Sequence, residues 1–90
     1  MLDTQEQQIA YRFAPSDFEG ILGLGDDLDQ FYQALETYTD KPTSRYELQL
    51  RLSAENLFFT LKARSVEGFI TPATFYEVTD YIGELSDGRL

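Results

Sequence analysis

Apolar residues recur along this chain at three- and four-residue steps, the spacing that winds them onto one side of a helix. Leu28, Phe31, Tyr32, Leu35 and Tyr38 follow that rule and predict a helix from Asp27 to Tyr38. Phe75, Val78, Thr79, Ile82 and Leu85 follow it again and predict a last helix from Pro72 to about Leu85. Between them, the stretch from Arg45 to Glu67 carries two stripes. Tyr46, Leu50, Ala54, Leu57 and Leu61 form one, and Leu48, Leu52, Phe59, Ala63 and Val66 form the other, on the opposite side of the same helix. Two apolar sides predict a central helix packed from both flanks. A rival reading exists, because Tyr46, Leu48, Leu50 and Leu52 alternate with Glu47, Gln49 and Arg51 as in a half-buried strand. Helix is favoured by the absence of Val, Ile and Thr between Arg45 and Phe59 and by the many good helix formers there.

The punctuation agrees with helices. Ser16 with Glu19 and Ser44 with Glu47 have capping-box spacing, which starts a short helix at Asp17 and the central helix just after Pro42. Asp26 or Asp27 is placed to cap the helix that follows. Gly68 suits the position just past a helix end, and Thr71-Pro72 supplies an N-cap followed by a first-turn proline. Thr4 to Phe13 reads equally as a short helix or a strand, closed by Pro15. The expected fold is all-α, a small helical bundle around a long central helix (about 45–67) with a C-terminal helical hairpin, in one domain over residues 1–90. The alternative is α+β, with residues 8–13 and 45–52 pairing as a two-stranded sheet. At the hairpin corner, Glu67-Gly68-Phe69-Ile70-Thr71 with Phe75 resembles the joint of the short bacterial two-helix module called SHOCT. The likeness spans about a quarter of the chain. The arms are longer than in that module and lack its basic character, so no function follows from it.

Composition narrows the chemistry. Seven Phe and six Tyr in 90 residues supply a core, while cysteine and histidine are both missing. That removes disulfides, thiolate and imidazole nucleophile pairs, and zinc or iron–sulfur ligation. Ser and Thr lack an activating base, no Gly-x-Ser-x-Gly elbow occurs, and no carboxylate lies in an apolar run that would raise its pKa. No enzyme activity and no cofactor are expected. Gly23-Leu24-Gly25 leads into Asp26, Asp27 and Asp29, whose charge would repel a phosphate, and the same aspartates depart from an EF-hand loop. A net charge of -9 opposes direct binding to nucleic acid or to an anionic membrane surface. Without a signal-like N-terminus or a long apolar run, the cytoplasm is the default location.

Charge is also unevenly spread. Phe13 to Asp40 holds seven carboxylates and no Lys or Arg, whereas Lys41 to Arg64 holds five of the seven basic residues. Glu77, Asp80, Glu84 and Asp87 form an acidic lane on the last helix, and Asp29 and Glu36 belong to a similar lane on the helix before the central one. Tyr76 and Tyr81 lie beside the first lane. Read blandly, these are solvated polar faces whose tyrosine rings roof the core. Read functionally, they are a docking face for a basic protein partner, with aromatics supplying binding energy. An inhibitor or immunity-type protein of phage or mobile-element origin, imitating the phosphate rows of DNA, is the second functional reading. A homodimer through an uncovered stripe of the central helix is the third.

Overall fold

The computed structural model describes residues 11–87. It contains a 3-10 turn at Pro15–Phe18 and three helices, α1 (Leu24–Asp40), α2 (Ser44–Val66) and α3 (Pro72–Asp87), with no strand among the described residues. The chain is all-α around a long central helix, and residues 45–52 lie inside it, so the α+β alternative falls. Residues 11–13 are neither helix nor strand. The rest of the element expected at Thr4 to Phe13, and of the strand at 8–13, lies outside the described residues.

Local chemistry sets the helix ends. Asp17 accepts the Ala14 N–H at 2.9 Å and holds the start of the 3-10 turn, so the short helix expected to begin at Asp17 is instead a single 3-10 turn that begins at Pro15. Gly23, rather than Asp26 or Asp27, occupies the N-cap of α1. Both aspartates sit instead in its first turn, where they complement the positive end of the helix dipole. Thr43, one residue before the expected Ser44, caps α2 by accepting the Tyr46 N–H at 3.2 Å. At the far end Gly68 adopts φ +86°, the Phe69 N–H reaches the Arg64 carbonyl and the Gly68 N–H reaches that of Ser65. This double bond pattern needs a left-handed residue, which glycine supplies without a Cβ clash. Thr71 then accepts the Thr74 N–H at 3.1 Å and starts α3, with Pro72 at its first position.

Packing departs from the sequence pattern on α2. Leu50, Ala54, Leu57 and Leu61 are buried, and they meet Leu28, Phe31, Tyr32 and Leu35 of α1 and Val78 and Ile82 of α3 in one core. The opposite stripe is in solvent: Leu48 is 56% exposed, Leu52 55%, Phe59 78% and Val66 79%. The expectation of a helix covered on two sides is therefore wrong. The physical reason lies in the count of partners and in the quality of the two stripes. Placed on one side of α2, α1 and α3 join a single core with the same stripe and with the aromatic rings of Phe13 and Phe18, although they touch each other little. The buried stripe contains no charge, but the outer one is interrupted by Glu55 and Lys62, which resist burial.

Polar links fix the N-terminal end of α1 onto α2. Asp27 accepts hydrogen bonds from Asn56, at 3.2 Å, and from the Thr60 hydroxyl. One turn further on, Arg64 donates to the Leu22 carbonyl at 3.3 Å and pairs with Glu67. Asn56, Thr60 and Arg64 recur every four residues, so one polar lane of α2 holds the turn that leads into α1. At Gly25 the approach is closest, since a Cβ there would stand 2.8 Å from the Pro15 carbonyl oxygen. Glycine is required because the 3-10 turn rests directly on the first turn of α1.

Candidate functional site

Residues 11–14 lie across the seam between α1 and α3, and aromatic rings tie them down. Tyr11 stacks on Tyr32 of α1, with ring centroids 3.6 Å apart and planes 7° from parallel. Phe13 meets Tyr81 of α3 edge-on at 5.5 Å and leans on Phe18 at 6.2 Å. Hydrogen bonds fix the same strap: the Tyr32 hydroxyl donates to the Phe13 carbonyl at 2.6 Å, and the Arg12 N–H donates to the Tyr81 hydroxyl at 2.9 Å. Burial pushes the Tyr32 hydroxyl well above its usual pKa, helped by the nearby Tyr81 and Asp17. Burial does the same for Tyr11, reinforced by its hydrogen bond to Glu36. Both phenols stay neutral through the physiological range.

The strap divides the eight residues singled out by sequence. Glu36 accepts the Tyr11 hydroxyl at 2.9 Å, Glu77 pairs with Arg12 at 3.2 Å, and Tyr81 is half-buried beneath Arg12 and Phe13. These three serve the fold from within the chain. Asp29 is exposed and accepts the side-chain amide of Gln33, four residues on, at 2.7 Å. Asp80, Glu84 and Tyr76 are exposed on α3, and Tyr76 is 64% in solvent. Neither Asp80 nor Glu84 has a basic partner among the described residues. Asp87 is the last residue of α3. At 100° per residue, Tyr76, Asp80 and Glu84 fall within about 80° of one another, opposite Val78 and Ile82, while Glu77 and Tyr81 turn toward the strap. The arrangement brings together a narrow acidic lane with one exposed ring, and it separates that lane from Asp29 and Glu36.

Residues 11–13 did not figure among the expected site residues. A signal for them exists in the sequence: Arg12 is the only basic residue before Lys41, and it sits between two aromatics in a chain whose nearest helices are acidic. Elsewhere, a shallow open cleft at Phe18–Gly23 has Glu19 and Asp26 on its rim, which opposes an anion there. No group of three or more carboxylates among the described residues converges to hold a metal ion. No helix among them is long and apolar enough to cross a membrane. No protein-family model, curated protein or solved structure matches the chain.

Proposed function

We propose that the protein is a non-enzymatic cytoplasmic interaction protein that binds a basic protein partner through the outward lane of α3. The observation that carries this reading is the exposure of Tyr76 beside Asp80 and Glu84, with no basic side chain of the described residues paired to either carboxylate. An exposed aromatic supplies contact area, and uncompensated carboxylates supply attraction to a basic surface and discrimination against acidic ones. Glu77 and Tyr81 act in support, by holding the strap that sets the edge of this face. Asp29 and Glu36 are a secondary acidic field on α1 that raises the rate of encounter.

Affinity capture from native lysate tests the reading with three forms of the protein: the native chain, Asp80→Lys/Glu84→Lys, and Tyr76→Ala. A basic protein captured by the native chain should be lost, by about tenfold or more, from the double reversal. Retention of that protein by the reversed form refutes the lane as its docking site. If the captured protein is a nucleic-acid enzyme, competition with duplex DNA decides whether the lane works as an inhibitor in the manner of a DNA mimic.

A further inference from the structure

The outer side of α2 carries a feature that neither the core nor the α3 lane uses. Leu48, Leu52, Glu55, Phe59, Lys62 and Val66 recur at alternating steps of four and three residues. That is the seam spacing of a two-stranded coiled coil, over about 27 Å of helix. All six are exposed, and α1 and α3 both lie on the other side of α2. The seam belongs to the least acidic part of the chain, with Arg45 and Arg51 on its margins, so the general repulsion between two chains of charge -9 is weakest here.

We infer that this seam pairs antiparallel with the same seam of a second copy of the chain. The two charges within it select both the partner and the direction. In a parallel pair, Glu55 would face Glu55 of the other copy and Lys62 would face Lys62, two like-charge contacts in an apolar seam. In an antiparallel pair with the two-fold axis at the level of Leu57, Leu48 lies opposite Val66, Leu52 opposite Lys62, and Glu55 opposite Phe59. Lys62 and the other copy's Glu55 then stand in adjacent layers, about 4.5 Å apart along the axis, within reach of an ion pair made twice by symmetry. The seam is self-complementary in one direction only. Its area sets the strength: at about 800 Å² for 20–30 residues a side, the dozen or so residues on and beside the seam bury on the order of 400–500 Å² per copy. That falls near the lower bound for a specific interface, so the dimer is reversible, monomeric near 1 µM and dimeric near 200 µM, both being order-of-magnitude expectations.

Sedimentation equilibrium across that concentration range, at about 150 mM salt so that the net repulsion is screened, reads the mass. A monomer at about 200 µM overturns the inference. Phe59→Glu, at a site open to solvent, should weaken association by about 30-fold with an unchanged helical spectrum, and an unaffected dimer would show that another surface is in use. Glu55→Lys alone and Lys62→Glu alone should each weaken it by about tenfold, and mixing the two variants should restore it, because each then offers the charge the other needs. Failure of the mixture to restore association overturns the antiparallel register. Oxidative cross-linking gives a second readout, since the chain has no native cysteine. A covalent dimer is expected when Leu48→Cys and Val66→Cys are combined and not from Leu48→Cys alone. Cross-linking of the single variant would mean a parallel pair and would refute the assignment.

Discussion

Leu50 and Leu52 are two residues apart on one helix, and substituting each by Ala separates the core side of α2 from its outer side. Leu50 is fully buried in the common core, whereas Leu52 is 55% exposed. Truncating a fully buried leucine removes its transfer free energy and leaves a cavity whose lining cannot collapse completely, at a cost of about 2–5 kcal/mol. A domain of this size has a total stability of roughly 5–13 kcal/mol, so Leu50→Ala removes a large share of it. Leu52→Ala, with no cavity to leave, should stay within about 0.5 kcal/mol of the native chain. Urea unfolding followed by the helical circular dichroism signal is the assay, at about 1 µM protein so that self-association does not contribute. With a slope of about 1.5 kcal/mol per molar urea, a loss of 3 kcal/mol lowers the midpoint by about 2 M for Leu50→Ala, against a few tenths of a molar for Leu52→Ala. Equal losses at the two positions would refute the one-sided core. They would mean that both stripes are covered.

The glycines make a second pair. Gly25→Ala places a methyl group 2.8 Å from the Pro15 carbonyl oxygen and should destabilise by about 1–3 kcal/mol despite the better helix propensity of alanine, while Gly83→Ala in α3 meets nothing within 4 Å and should stabilise by about 0.5–1 kcal/mol. Thermal melts of the two variants moving in the same direction would contradict this geometry. Tyr11 and Tyr32 have hydroxyls raised above the ordinary tyrosine value of about 10, so the stability they contribute is complete below that pH and is lost as pH rises past it, when the unfolded chain ionises and the folded one does not. An ultraviolet phenolate titration should show the Tyr11 and Tyr32 phenols ionising only as the domain unfolds, and Tyr32→Phe should remove one of them; a Tyr32→Phe difference titration that places the Tyr32 phenol near pH 10 in a folded protein would rule out this packing of the strap.

Helix existence was legible from residue spacing because an amphipathic stripe is a local property. The periods of Leu28–Tyr38 and Phe75–Leu85 placed α1 and α3, and good helix formers around Leu48–Leu57 decided against the strand. Boundaries were less legible. Thr43 took the cap expected of Ser44 because adjacent hydroxyls offer comparable caps, whereas Gly23 and Ala14 hold cap positions with no side-chain cap bond of their own, a matter of backbone path that cap chemistry does not reveal. Of the candidate site, the α3 lane could be read as a lane, but the division of its residues could not. Tyr81 packs under, and Glu77 pairs at the surface with, a strap that lies about 65 residues away in sequence, and no local pattern carries a contact of that separation.

By itself, then, the sequence favoured an all-helical chain over a mixed one, and it determined the acidic composition without histidine or cysteine chemistry and the two apolar stripes of the central stretch. Which stripe would be buried was decided only in three dimensions. Both stripes are of similar length, and placing both covering helices on one side gives a single shared core. The uncharged stripe of Leu50, Leu57 and Leu61 received them. Glu55 and Lys62 kept the other stripe in water, where the same two charges make it fit a second copy of itself.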